Sequence, residues 1–477
     1  MLNWNKERQT NTAVIGIQNK WDKSRVSADE AEFLVRYQNE RPFISEWGHL
    51  ETVVYNGENG FRYFVLAGVE GGEEKSGAAQ FAFVKKIVHY CIREKLLAID
   101  ILADTLNIAL GILLDGVLYR NVHQSMMKTT KDDVLQSVHI VADDMEAIVA
   151  AAEEWEAVYK GVNWTKELVN MPPNALTPKE MAYQALSLNS YDGMYCTVLN
   201  KEDLQQYKMN GILSVAQGSA EDPRLIVIEY TGNEASREKL GLVGKGVTYD
   251  SGGLSLKSAA SMKTMKTDMA GAGAVLGAMK ALAELQYPIN AVAVLPCVEN
   301  MPSGTSYKVD DVITMYGGKT VEVENTDAEG RIILCDAVSY IQEYGITRLI
   351  DLATLTGACE TALGTVRAGA VTNHPVWNTV VCQAGETVRE RVWPLPADDE
   401  YKDMIKGRQA DLRNAPGSKG GAITAGLFIG AFVPDTLPWV HLDIAGTAYT
   451  DTADSAGYIG ATGFGVKLLW KVMKDLV

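Results

Sequence analysis

The stretch Glu324-Asn325-Thr326-Asp327-Ala328-Glu329-Gly330-Arg331 is the most informative part of this sequence. It places two carboxylates two residues apart, and an arginine two residues after the second. Its asparagine, threonine and glycine favour turns, so the pattern predicts a loop that leads into a helix. A glycine-rich stretch upstream adds Lys245, Asp250, Lys257 and Asp268. Such a set of side chains is suited to holding two divalent metal ions around one water, which favours hydrolytic chemistry.

The composition is typical of a water-soluble globular protein with more than one domain. The chain has 477 residues, of which 47% are hydrophobic and 22% are charged, and its net charge is -16. That length exceeds one ordinary core, and the acidic balance disfavours general nucleic-acid binding. Residues 1–16 lack the pattern of a signal peptide, and acids interrupt the apolar stretch 96–119, so no membrane span is predicted. The six cysteines are far apart in sequence, which favours reduced thiols and a cytoplasmic location.

Hydrophobic periodicity predicts an α/β fold in two domains. Residues 1–160 are expected to form a smaller N-terminal α/β domain that ends in a linker helix over Asp143–Lys160. Residues 161–477 are expected to form a larger catalytic α/β domain, in which strands alternate with helices. That alternation predicts a mostly parallel central sheet covered on both faces. The strands are expected at Arg224–Tyr230, Leu240–Val247, Asn290–Val298, Arg348–Leu355 and Trp439–Ile444, and the helices at Met269–Leu285, Ile332–Tyr344, Ala422–Val433 and Gly465–Leu476.

Each candidate site residue has an ordinary explanation when it is taken alone. Asp250 suits a turn, Asp268 suits a helix cap, and Glu329 suits the first turn of a helix. Lys257 and Arg331 are more often solvated charges. Their joint occurrence favours a metal site at the carboxyl ends of the strands, where sites form in open α/β sheets. Carboxylate-rich ligation suits manganese and magnesium, and zinc is an alternative.

Other known site motifs are incomplete in this sequence or missing from it. Gly318-Lys319-Thr320 resembles the end of a phosphate-binding loop, but Ile313 stands where the first glycine is required. Gly244-Lys245 is followed by Gly246 and not by serine or threonine. The sequence has no His-Glu-x-x-His motif and no Gly-x-Ser-x-Gly motif. A histidine zinc site and a serine nucleophile are therefore not predicted.

The stretch 325–331 matches the signature of the leucyl aminopeptidase family of dinuclear metallopeptidases, peptidase family M17. The resemblance covers roughly residue 167 to the C-terminus, and residues 1–160 resemble the family only in size and position. The chain departs mildly from many relatives at 269–273, where they have paired glycines, and only a packing adjustment is expected. The other matching blocks are Val243–Gly246, Asp250–Gly253, Glu299–Gly304, Ala353–Gly357 and His441–Gly446.

The resemblance implies two divalent metal ions per subunit, manganese or zinc, with magnesium and cobalt as alternatives. It implies one metal site of Asp250, Asp327 and Glu329, and a second of Lys245, Asp250, Asp268 and Glu329. Lys257 would stabilise the developing oxyanion, and Arg331 would bind a bicarbonate that acts as general base. Met265, Thr354 and Gly357 would form an apolar pocket for the first side chain.

The implied function is that of a leucyl aminopeptidase, a metalloprotease that releases Leu-like or Met-like N-terminal residues from peptides. The resemblance also implies a cytoplasmic homohexamer, with the N-terminal domain serving assembly or access control. As an alternative, the same fold acts partly as a DNA-binding regulator, because some family members bind DNA, although the acidic balance disfavours this. Metal-dependent phosphoester hydrolysis is chemically allowed by two metals but is disfavoured by the resemblance.

Overall fold

The chain divides into two compact units in the computed structural model, which describes residues 2–5, 7–18, 23–57, 60–122, 127–130, 132–454 and 457–477. The first unit contains residues 1–159 and 452–459, and the second contains 160–451 and 460–477. The boundary falls inside the helix Met145–Asn170, which is longer than the predicted linker helix. The segment 452–459, which the sequence analysis placed in the catalytic domain, belongs to the first unit, where Asp454 pairs with Lys85 at 2.5 Å.

The first unit is built on one mixed sheet. Its elements are β1 (Leu2–Asn5), β2 (Thr12–Ile17), α1 (Ala28–Glu40), β3 (Leu50–Gly57), β4 (Gly60–Gly68), α2 (Gly77–Arg93), β5 (Ala98–Leu102), α3 (Leu110–Arg120), β6 (Ser137–Val141) and the part of α4 (Met145–Asn170) that precedes residue 160. Among the described residues the strand order is β1-β6-β5-β2-β4-β3, and only β3 and β4 pair antiparallel. Alternate residues of β2 enter two apolar clusters, Val14 one and Ile15 the other, so both faces of the sheet are covered.

The second unit holds a larger sheet that carries the predicted site. The strands of the second unit are β7 (Met194–Leu199), β8 (Arg224–Thr231), β9 (Lys239–Gly244), β10 (Gly246–Asp250), β11 (Asn290–Asn300), β12 (Val312–Thr314), β13 (Thr320–Glu322), β14 (Arg348–Ala353), β15 (Ala368–Thr372), β16 (Val392–Pro394), β17 (Leu412–Arg413), β18 (Trp439–Asp443), β19 (Tyr449–Thr450) and β20 (Gly460–Ala461). Of these, β12, β13 and β17 form a separate small sheet, and β19 pairs with β20. The remaining helices of this unit are α5 (Pro178–Leu186), α6 (Lys201–Tyr207), α7 (Asn210–Ala216), α8 (Ala259–Met262), α9 (Ala270–Leu285), α10 (Glu329–Tyr340), α11 (Gly357–Leu363), α12 (Pro375–Val388), α13 (Asp399–Met404), α14 (Gly421–Gly430) and α15 (Val466–Asp475).

The large sheet is mostly parallel, as predicted. Within the described part of the chain its order is β16-β15-β18-β14-β9-β11-β8-β7, and β10 pairs with β11 beyond the end of β9. Leu242 and Val243 are both fully buried although neighbouring strand residues point to opposite faces, so both faces are covered. The predicted α/β fold with a mostly parallel sheet is therefore confirmed.

One predicted strand is interrupted. The sequence predicts a continuous strand over Leu240–Val247, but the structure breaks it at Lys245, between β9 and β10. The Lys245 N–H donates to the Leu352 carbonyl of β14 at 3.0 Å, and its own carbonyl accepts from the Ala272 N–H at 2.9 Å. Pairing with β11 therefore stops at Val243 and resumes at Gly246, and the Lys245 side chain turns into the site.

The strand directions gather the site at one edge of the sheet. Strands β18, β14, β9 and β11 run parallel to one another, and β10 runs parallel to β11. Their carboxyl ends therefore lie along a single edge, which is where loops assemble sites in α/β proteins. In the described residues all six cysteines are free, and no helix is long and apolar enough to cross a membrane.

Candidate metal centre

The four predicted carboxylates and both lysines meet at the carboxyl edge of the large sheet. Lys245 Nζ lies 2.7 Å from Asp268 Oδ1 and 2.9 Å from Glu329 Oε1. These three side chains, named here the deep half, are at most 6% exposed. Lys245 Nζ also donates to the Thr354 carbonyl at 3.1 Å. The deep half is therefore almost completely buried.

The second lysine sits between the other two carboxylates. Lys257 Nζ lies 2.7 Å from Asp250 Oδ2 and also contacts Asp327 Oδ1. Lys257, Asp250 and Asp327 are named here the outer half, because Asp327 is 31% exposed and Lys257 is 13% exposed. The resemblance implied a role for Lys257 apart from the metal ligands, and the structure places it in direct contact with two of the predicted ligands.

Glycines create the space in which these side chains meet. A Cβ atom on Gly330 would lie 2.3 Å from Lys245 Cε, so any larger residue at 330 would collide with the lysine chain. Gly252 has φ +86°, and Gly253 has φ +64°, which are left-handed conformations that favour glycine. This turn brings Asp250 beside the stretch 325–331: a Cβ atom on Gly252 would lie 2.9 Å from Asp327 Oδ1.

Hydrogen bonds fix the loop before α10. Asn325 Oδ1 accepts from the Asp327 N–H at 2.8 Å, a turn that orients Asp327. Thr326 Oγ1 donates to the Gly252 carbonyl at 2.6 Å and accepts from the Ser255 N–H at 2.8 Å. Glu329 then begins α10, as the loop-to-helix pattern predicted. The two loops that carry Asp250 and Asp327 are thus tied together.

Several supporting residues were not predicted. Asn300 Nδ2 donates to Asp250 Oδ1 at 2.9 Å and to the Thr326 carbonyl at 3.0 Å, so it orients the aspartate. Asn414, which is fully buried, bonds through its side chain to Glu324, Asn325 and Ala328 of the stretch 324–331. Asn300 ends β11 and lies in the matching block Glu299–Gly304, but no role was predicted for it. Asn414 lies outside the matching blocks, so no sequence signal distinguished it.

Burial and mutual repulsion govern the pKa values of the centre. Burial, with the nearby charge of Asp250, raises the pKa of Glu329 and of Asp327 above the ordinary values. Burial also raises the pKa of Asp268, although Lys245 opposes the shift. Burial alone would lower the pKa of Lys245, but the surrounding carboxylates outweigh it and raise the pKa. The cluster therefore holds more negative charge than its own lysines neutralise.

The donor set fits divalent cations. Oxygen atoms of Asp250, Asp327 and Glu329 lie within 4.8 Å of one another, as ligands of one ion must. Asp268 Oδ2 and Glu329 Oε2 are buried without a hydrogen-bond partner among the described residues. Unpartnered buried carboxylate oxygens are costly, and coordination to a cation relieves that cost.

The remaining predicted residues lie around the same cavity, whose volume is about 480 Å³. Every predicted site residue except Glu329 lines it, and Glu329 lies beneath, against Lys245. Arg331 is buried, and its Nη1 donates to the Asn414 carbonyl at 2.6 Å. Burial lowers the pKa of Arg331 to about 10, so its guanidinium stays charged at neutral pH. Met265, Thr354 and Gly357 line the cavity wall.

Fold and centre together are typical of metal-dependent hydrolases built at the carboxyl edge of a parallel sheet. Residues 163–470 match the profile of the cytosol aminopeptidase family, catalytic domain. A probable cytosol aminopeptidase of Alkaliphilus metalliredigens is 45% identical over 366 residues, 76% of this chain and 73% of the relative. One of Clostridium tetani is 37% identical over 464 residues, 95% of each chain. The chain belongs to the cytosol aminopeptidase family.

A solved structure has a similar fold over nearly the whole length of this chain. That of the bottromycin maturation enzyme BotP is 28% identical with a TM-score of 0.84, and the match covers 98% of this chain and 99% of BotP. A second structure of that enzyme, in complex with Mn, matches equally well. The family, the fold class and the aminopeptidase activity predicted from the sequence are therefore confirmed, and the family is metal-dependent. The individual roles of the site residues remain predictions.

Proposed function

We propose that this chain releases N-terminal amino acids from peptides at a centre of two divalent cations. The observation that carries the proposal is the convergence of four carboxylates from separate segments, some of whose buried oxygen atoms have no hydrogen-bond partner in the part of the chain that the structure describes. Asp250, Asp327 and Glu329 would hold the outer cation. Lys245, Asp250, Asp268 and Glu329 would hold the deep one, with Asp250 and Glu329 shared. Lys245 would have to release its proton on binding, so cation affinity should rise with pH.

Bound there, the two cations would supply hydroxide from a shared water near neutral pH, polarise the scissile carbonyl and hold the free α-amine of the substrate. The Lys257 ammonium, which faces the cavity, would stabilise the negative oxygen that develops on the peptide carbonyl. Nearby carboxylates outweigh the effect of burial and raise the pKa of Lys257, which favours its charged form.

Arg331 is the proposed binding residue for bicarbonate. Its guanidinium lines the cavity, and its Nε is buried without a partner among the described residues, which leaves a donor for an anion. A bicarbonate held there would serve as general base.

The pocket of Met265, Thr354 and Gly357 would favour Leu-like and Met-like first residues. Such an apolar pocket discriminates by about 1–3 kcal/mol per methylene, so the preference should be modest.

Three further properties rest on the relatives. Manganese is our first choice of cation, because a solved structure of BotP contains Mn. A cytoplasmic location is proposed from the names of the relatives. A homohexamer is proposed from the family resemblance, with the first unit serving assembly or access control. Light scattering at the mass of six chains under mild conditions supports the hexamer, and a monomer mass contradicts it.

Two measurements test the proposed function. Exhaustive chelation should abolish hydrolysis of leucine amide, and added manganese or zinc should restore it. Acetyl-leucine amide should be inert, because its amine cannot bind the centre. Full activity without metal would refute the metal mechanism, and equal rates on the free and acetylated amides would refute the substrate pose.

A further inference from the structure

Glu360 is a charged residue of the cavity that the proposed mechanism does not use. It lines the cavity together with the metal-centre side chains, and it is exposed. Among the described residues that line the cavity, it is the one carboxylate outside the four-carboxylate cluster. Its side chain makes no hydrogen bond or ion pair with any described residue. By contrast, Lys245 and Lys257 are paired with carboxylates, and Arg331 bonds to a carbonyl.

The orientation of Glu360 is set by the opposite side of its helix. Asp443 at the end of β18 accepts from Thr356 Oγ1 at 2.6 Å and from the Leu355 N–H at 3.2 Å. Cys359 is buried, and its Sγ lies 3.6 Å from the Asp443 carbonyl. These contacts hold one face of α11 against the sheet. The remaining face, which includes Glu360, borders the cavity.

Glu360 lies on the same helix as Gly357, a residue of the proposed pocket for the first substrate side chain. Gly357 and Glu360 are three residues apart, so they lie on the same helix face, with an axial offset of roughly 4.5 Å at 1.5 Å per residue. Gly357 and Ala358, which also line the cavity, are small and leave the path to Glu360 open. Gly357 is a proposed pocket residue, so a lysine or arginine side chain, which is longer than leucine, would reach further along this face toward Glu360.

We propose that Glu360 selects for a cationic first side chain, so that the enzyme cleaves Arg-initiated and Lys-initiated peptides beside Leu-like ones. The proposal rests on the proposed aminopeptidase function and names a substrate class for it. The Glu360 carboxylate pairs with the cationic end of the substrate side chain, and it repels acidic first residues. An ion pair open to water of this kind supports about a two- to fivefold preference over a neutral side chain of the same shape.

Arginine amide and citrulline amide test this directly, because the two side chains have nearly the same shape and differ in charge. Wild-type kcat/KM should be about two- to fivefold higher for arginine amide, and high salt should reduce the ratio. Glu360→Gln should bring the ratio close to one, and Glu360→Lys should bring it below one. Because each ratio is taken within one variant, a general loss of activity cancels. Glu234→Gln, an equal change in net charge in an exposed loop after β8, should leave the wild-type ratio unchanged.

Each contrary outcome is distinct. If the manganese-loaded wild type cleaves no aminoacyl amide, the proposed function itself fails. If leucine amide is cleaved but Glu360→Gln keeps the wild-type ratio, only the role of Glu360 is overturned. The dipeptides Leu-Arg and Leu-citrulline place the charge on the second residue, and Glu360→Gln should not alter their ratio. A change confined to the dipeptide pair would assign Glu360 to the second residue and overturn the proposal.

Discussion

The two halves of the metal centre use the same chemistry in different surroundings. Each half places a lysine ammonium between two carboxylates. In the deep half the glutamate is 1% exposed, whereas in the outer half Asp327 is 31% exposed. Buried charges interact more strongly than solvated ones, and losing one partner leaves the other uncompensated. The deep half should therefore behave as a fixed structural element, and the outer half should exchange its cation more readily.

The largest expected difference in metal content and kcat lies between the variants Glu329→Ala and Asp327→Ala. Glu329 belongs to the deep half and is proposed to be shared, so its loss should remove both metals and lower kcat by about 10³-fold or more. Asp327→Ala should lose only the outer metal. Metal content by mass spectrometry, measured beside kcat, checks both variants. Glu329→Gln controls for the cavity that alanine leaves, and retention of both metals by Glu329→Ala would contradict the comparison.

Gly330→Ala should disturb the deep half without changing a charge. The new Cβ would lie 2.3 Å from Lys245 Cε, so the lysine must move away from its carboxylates. We expect loss of the deep metal and a stability loss of about 1–3 kcal/mol, as for overpacking elsewhere. Metal content and denaturant unfolding measure the two effects. Gly304→Ala is the matched control, because a Cβ there meets nothing within 4 Å. Equal behaviour of the two variants would show that Lys245 tolerates displacement.

Alanine variants of the two lysines should differ in metal content. Lys257→Ala removes the proposed oxyanion partner and should lower kcat by about 100-fold while both metals stay bound. Lys245→Ala removes a proposed ligand and should release the deep metal. The structure makes this test sharper than the sequence did, because Lys257 contacts both outer carboxylates. If Lys257→Ala lowers outer-metal affinity strongly, Lys257 helps to arrange the ligands and its assigned role is incomplete.

The smallest effect is expected for Arg331→Ala. Both metals should remain, and activity should fall by about 10-fold, with partial recovery in added bicarbonate because a general base can be supplied from solution. In the wild type, Arg331 should stay charged from neutral pH to near its pKa of about 10. Its deprotonation should therefore cause no loss of activity up to pH 8. Thermal unfolding controls for the lost bond to the Asn414 carbonyl. Loss of metal in Arg331→Ala would argue for a structural role instead.

Much of the site was predictable because its chemistry depends on residue types in short, ordered segments. The carboxylates and lysines were selected by their residue types within two segments, the loop before α10 by its turn-prone residues, and the resemblance added the expected roles. The break at Lys245 was not predictable, because it depends on hydrogen bonds to Leu352 and Ala272, which are distant in sequence. Asn414 was missed for the same reason: its bonds to the stretch 324–331 become visible only once the chain has folded.

The return segment 452–459 has a consequence for how the chain folds during synthesis. A ribosome makes residues 1–159 first, yet the first unit acquires Asp454, the partner of Lys85, nearly 300 residues later. The ring of Tyr458, which packs edge-on against Tyr119, arrives at the same late stage. During synthesis, Lys85 and Tyr119 therefore lack these two partners until almost all of the second unit has been translated. A fragment of residues 1–159 should accordingly be more prone to aggregation and more dependent on chaperones than the full chain.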